Sequence, residues 1–107
     1  MIKVIYSPKV VDYIDNLIFI LFEKGYFGFP ESAKTYVSKL TADIESSIHL
    51  KLKNPSPPRF KKYGSHYVTY KPNKNTTWYV FFSMRADRYL VRFITNNHVS
   101  AQHIRGL

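Results

Sequence analysis

The chain contains no cysteine among its 107 residues. This absence excludes disulfide bonds, thiolate metal sites and a cysteine nucleophile, and it is consistent with a reducing compartment. Glycine is scarce as well, with four residues. No glycine-rich phosphate loop and no nucleophilic-serine elbow is present in the sequence. The common motifs of nucleotide binding and covalent hydrolysis are therefore missing.

Long hydrophobic runs are also missing. The longest apolar run, Leu17 to Phe22, is far shorter than the ~20 residues that span a bilayer. The first residues do not combine a basic region with an apolar stretch and a small-residue cleavage site. We therefore expect a soluble, cytoplasmic protein with no membrane partner.

Acidic residues are few, with 7 Asp+Glu against 16 Lys+Arg and a formal net charge of +9. So large an excess on a small chain indicates a polyanionic or acidic partner, such as nucleic acid, an anionic membrane or an acidic protein. The alternative is a basic surface that serves only solubility. Hydrophobic residues make up 45% of the chain and aromatic residues 17%, which predicts one packed domain over residues 1–107.

Aromatic and β-branched residues concentrate in two stretches that predict strands, Thr76 to Met84 and Tyr89 to Thr95. The polar residues between them are few enough for a hairpin turn. Alternation divides the first strand into two faces, Trp78, Val80, Phe82 and Met84 on one and Thr77, Tyr79, Phe81 and Ser83 on the other. Because both faces carry large rings, we predict a central strand that is covered on both sides.

The remaining patterns predict an α+β fold. Ile2 to Tyr6 and His66 to Lys71 have the character of strands, and two apolar stripes at helical spacing predict helices. The first helix is predicted from Ser7-Pro8 to Gly25, and the second from Pro30–Ser32 to Lys53 at the furthest. We expect the N-terminal strand, a two-helix hairpin packed on an antiparallel three-strand meander, and a small C-terminal tail. The proline segment Asn54 to Pro58 and the basic segment Arg59 to Gly64 are predicted to form a loop, which is either a solvated connector or a binding loop.

One edge of this meander should collect residues suited to chemistry, because the end of each antiparallel strand lies beside the start of the next. The candidates at this edge are Tyr70, Lys71, Lys74, Thr77, Trp78, Asn96, Asn97 and His98, and the tail can add His103. Cations, amides, imidazoles and an aromatic plane suit a phosphate backbone with an unstacked base. The plainer alternatives are that Trp78 belongs to the core and that His98 is structural.

A metal site at the two histidines is not expected. His98 and His103 are five residues apart, which is not the i, i+4 spacing of a helical metal site, and no carboxylate or thiolate lies near them in the sequence. We therefore expect no metal and no cofactor.

The element order, together with Thr76-Thr77-Trp78-Tyr79-Val80-Phe81-Phe82 and Ile94-Thr95-Asn96-Asn97-His98, resembles the RelE/ParE superfamily of type II toxins. The similarity covers essentially the whole chain, which looks like a branch of plasmid-stabilisation or RelE/ParE-like proteins that carry WYxFF and TNNH signatures. It implies a toxin that a cognate antitoxin protein holds inactive. Members of the superfamily either cut messenger RNA in the ribosomal A site or poison DNA gyrase.

The resemblance gives the edge residues provisional roles. In a ribosome-dependent, metal-free endoribonuclease, His98 and His103 would be base and acid, and Lys71 would stabilise charge. Residues expected to bind the substrate are Lys74, Trp78, Asn97, Tyr70 and Arg105. Active family members carry an arginine in the second meander strand, where this chain has Trp78 or Tyr79. That departure favours the alternatives, a gyrase poison or a non-catalytic binding protein with the toxin fold.

Overall fold

A computed structural model describes residues 2–23 and 30–97, and this part of the chain has the predicted α+β class. The helices are α1 (Pro8–Glu23) and α2 (Pro30–Ser47), and a 3₁₀ helix spans Pro58–Tyr63. The strands are β1 (Lys3–Tyr6), β2 (Asn54–Pro55), β3 (His66–Asn73), β4 (Thr76–Arg85) and β5 (Arg88–Asn96). The predicted helix end at Gly25 lies outside the described residues. Neither described helix is long and apolar enough to cross a membrane.

The strands form one five-stranded mixed sheet in the order β1-β5-β4-β3-β2. β3, β4 and β5 are antiparallel neighbours, whereas β1 lies parallel to β5. The sheet is thus wider than the expected three strands. β2 was not expected, since its two residues lie in a proline-containing stretch that predicts a loop.

β4 is a central strand with both faces covered, as the alternation predicts. On one face, the buried residues Trp78, Val80 and Phe82 pack in the same core as Ile44 and Ile48. The predicted α2 stripe is confirmed, because the buried residues of that helix recur at steps of three and four. We call this side of the sheet the helix face.

The opposite side of the sheet, which we call the second face, has a smaller aromatic core. Phe60 of the 3₁₀ helix stacks on Phe81 with ring centroids 4.8 Å apart and an interplanar angle of 15°. Tyr67 completes the buried cluster. The basic segment is therefore not only a solvated connector, because one of its side chains closes the second core.

Gly64 allows the 3₁₀ helix to lie this close to the sheet. Its φ is +140°, a backbone conformation that residues with a Cβ rarely adopt. A Cβ built at this position would overlap the backbone carbonyl of Phe82. Position 64 therefore requires glycine for two reasons, its positive φ and the lack of room for a Cβ.

Two irregularities shape the β4–β5 hairpin. The turn residue Ala86 has a φ of 54°. Further along, Phe81 pairs with Phe93 while Phe82 pairs with Val91. Arg92 is therefore the extra residue of a β-bulge, and its side chain is exposed.

Candidate functional site

The strand register brings three of the edge residues into one row. Tyr70 of β3 is paired with Trp78 of β4, which is paired with Asn96 of β5. Lys71 and Lys74 follow Tyr70 along the chain, and both are exposed. The end of β3, the start of β4 and the end of β5 therefore share an edge, as antiparallel order requires.

A groove of about 320 Å³ lies beside this row, between α2 and the end of β3. We call it the α2–β3 groove. Its lining residues are Tyr36, Lys39, Leu40, Asp43, Ser47, Lys51, Tyr70, Lys71 and Pro72. Three lysines and one carboxylate give the lining an excess of positive charge, which favours an anionic ligand.

The polar side of the groove comes from a second stripe on α2. Lys39, Asp43 and Ser47 are four residues apart, so they lie on one side of the helix. Ser47 Oγ donates a hydrogen bond to the Asp43 carbonyl oxygen at 2.6 Å. Sequence analysis missed this stripe, although its spacing of four residues was a usable signal.

Tyr70 joins this stripe to the sheet. Its hydroxyl lies 3.3 Å from Ser47 Oγ. Burial raises the pKa of Tyr70, the charge of Asp43 raises it further, and the Ser47 hydroxyl opposes the shift. Tyr70 therefore carries its proton near neutral pH and cannot act as a base there.

Lys51 fixes the segment after α2 against β3. Its ammonium group donates to the Thr69 carbonyl oxygen and lies 4.1 Å from the centroid of the Tyr70 ring. Burial lowers the pKa of Lys51, and the nearby charge of Asp43 opposes that effect. The contacts with the carbonyl and the ring favour the ammonium form, so Lys51 supplies a fixed cation at the groove.

Trp78 is positioned as a core residue, the alternative that the sequence left open. Its side chain is 2% exposed, which leaves no free ring face on which a base could stack. The indole Nε1 donates a hydrogen bond to Tyr36 Oη at 2.9 Å. Trp78 thus acts on the groove indirectly, because it holds the hydroxyl of a lining residue.

Asn97 connects the end of β5 to the neighbouring turn. Its side-chain oxygen accepts a hydrogen bond from the Thr77 backbone N–H at 2.9 Å. Its side-chain nitrogen donates to the Asn75 carbonyl at 3.1 Å. These contacts tie Asn97 to the start of β4 and to the turn before it, and its role in substrate binding stays a prediction. His98, His103 and Arg105 lie outside the described residues, so their roles stay predictions.

Within residues 2–23 and 30–97, no group of three or more histidine, aspartate and glutamate side chains could hold a metal ion. No protein-family model, curated protein or solved structure matches the chain.

Proposed function

We propose that this protein is a toxin of the RelE/ParE kind that cuts messenger RNA on the ribosome without a metal ion. The supporting observation is the α2–β3 groove, where Lys39, Lys51 and Lys71 line one cavity beside the edge at which β5 ends. His98 and His103 follow that edge in the sequence. Cations and imidazoles are the groups that metal-free RNA cleavage needs.

The reaction follows from these groups. One imidazole, from His98 or His103, accepts the proton of the ribose 2′-hydroxyl as its oxygen attacks the adjacent phosphorus. Lys71 stabilises the additional negative charge on the phosphate and keeps its own proton. The other imidazole donates a proton to the departing 5′-oxygen. The products carry a 2′,3′-cyclic phosphate and a 5′-hydroxyl.

The net charge supports an acidic antitoxin as the second partner. A formal charge of +9 favours association with carboxylate-rich segments and increases the rate of encounter. We expect the natural operon product to elute as a complex with a small acidic protein. Purification as a lone toxic monomer would contradict this part of the proposal.

One observation favours a non-catalytic function such as gyrase poisoning. Active members of the superfamily carry an arginine where this chain has Trp78 or Tyr79, and Trp78 is buried and bonded to Tyr36. In β4 the only cation is Arg85, at the far end of the strand. A gyrase poison would need neither the histidines nor a cation in mid-strand.

Induced expression followed by RNA profiling separates these functions. We expect messages cut at codon boundaries. We expect His98→Ala to reduce cutting, since loss of a general acid or base lowers rates by ~10² to 10⁴-fold, and Lys71→Ala to reduce it because the developing charge on the phosphate loses its stabilising cation. Lys34→Ala is the matched control, because Lys34 is exposed on α2 and does not line the groove. Intact messages with filamentation and DNA damage would favour the gyrase poison.

A further inference from the structure

A second basic groove, of about 610 Å³, lies where α1, the 3₁₀ helix and β5 meet. Its lining residues are Ser7, Pro8, Lys9, Lys62, Tyr63 and Arg92. None of them lines the α2–β3 groove. We call it the Arg92 groove.

Three separate elements each contribute one cation to this groove. Lys9 lies in the first turn of α1, Lys62 in the last turn of the 3₁₀ helix, and Arg92 at the bulge of β5. All three side chains belong to exposed residues, and no carboxylate is among the lining residues. Like charges gathered in this way repel one another, and a polyanion in the groove would relieve that repulsion.

An aromatic ring lies beside the cations. Tyr63 is half-buried and stacks on Phe93, with ring centroids 4.2 Å apart and an interplanar angle of 14°. Lys62 Nζ lies 5.2 Å from the centroid of the Tyr63 ring. A supported ring next to several cations is the combination that binds single-stranded nucleic acid, through stacking and phosphate contacts. An acidic peptide would use the cations without needing the ring.

We propose that the Arg92 groove binds the phosphate backbone of a single-stranded RNA, with an unpaired base against Tyr63. The inference builds on the proposed function, because the groove would be a second anchor for the RNA that the α2–β3 groove engages. Binding here involves no bond cleavage, so it can be measured apart from catalysis.

The test uses a fluorescent single-stranded RNA with 2′-O-methyl groups, which has no free 2′-hydroxyl and cannot be cut by internal attack. Its dissociation constant is measured by anisotropy from about 50 to 200 mM salt, because each phosphate contact adds about 0.7 to the slope of log affinity against log salt. We expect Arg92→Ala and Lys62→Ala to weaken binding roughly tenfold and to reduce that slope. Tyr63→Leu should weaken binding without changing the slope.

Lys34→Ala is the charge-matched control and should leave the slope unchanged, and thermal melts check that each variant is folded. Equal slopes for Arg92→Ala, Lys62→Ala and Lys34→Ala would overturn the inference. So would variants that lose binding to a glutamate-rich peptide but keep full affinity for RNA, since the groove would then serve an acidic protein. A failure of the proposed function alone would give a different result. Unmodified messages would then stay intact, while Arg92→Ala would still reduce the slope of log affinity against log salt.

Discussion

Phe81 and Phe82 are neighbours in β4, both fully buried, yet they belong to different cores. Phe82 packs in the large core of the helix face, whereas Phe81 packs in a small aromatic cluster under the 3₁₀ helix. A basic groove also lies close to each covering element, the α2–β3 groove beside α2 and the Arg92 groove where the 3₁₀ helix meets α1 and β5. The comparison indicates that one sheet supports two separately built basic surfaces.

The largest effect on stability should come from removing the ring of Phe82, which is buried in the core of the helix face. Phe82→Ala should lower the free energy of unfolding by about 3–5 kcal/mol, the range for deleting a large buried side chain. Phe60→Ala should cost less, because the short 3₁₀ segment can move to fill part of the space. Urea denaturation measures both. Equal losses would show that the two cores are not different in strength.

A smaller effect is expected at Gly64, where the chain after the 3₁₀ helix lies against the backbone of β4. Gly64→Ala should cost about 2–3 kcal/mol, since its Cβ overlaps the Phe82 carbonyl and its φ is unfavourable for alanine. Lys61→Ala is the control, because Lys61 is exposed in the 3₁₀ helix that ends just before Gly64. If Gly64→Ala is as stable as Lys61→Ala and the parent protein, then Gly64 does not lie this close to the backbone of β4.

The stability that the core of the helix face provides should also decrease at alkaline pH. Tyr13 of α1 packs against its core, and burial raises the pKa of Tyr13 from 10.0 to about 12. A raised folded-state pKa contributes stability that is fully present below pH 10.0 and is lost as the pH rises through about 12. Tyr13→Phe should therefore lessen the loss of stability across this interval, as measured by urea denaturation at several pH values. The same loss in parent and variant would contradict the assignment.

The smallest expected change is a gain at the β4–β5 turn. Ala86 has a φ of 54°, a conformation that costs alanine more than glycine. Ala86→Gly should raise the free energy of unfolding by up to about 1 kcal/mol, partly offset by the greater freedom of glycine in the unfolded chain. Thermal unfolding checks the change, and a clear loss of stability would contradict the turn geometry.

Local patterns in the sequence predicted much of this fold. Alternation between apolar faces identified β4 as central, and antiparallel order predicted the row that contains Tyr70 and Trp78. The burial of Phe60 and the bulge at Arg92 depend on contacts between distant segments, which have no local pattern. The Arg92 groove was missed for the same reason, because its cations come from three separate elements.

The proposed reaction uses the lysines of the α2–β3 groove and the histidines that follow β5, and it needs no metal ion. The most direct measurement is the chemistry of the ends produced when the purified protein acts on ribosomes carrying a defined message. Attack by the 2′-hydroxyl predicts a 2′,3′-cyclic phosphate on the upstream fragment, formed by the parent protein and Lys34→Ala and strongly reduced in Lys71→Ala and His98→Ala. An upstream 3′-hydroxyl, or full cleavage by Lys71→Ala and His98→Ala, would contradict the claim.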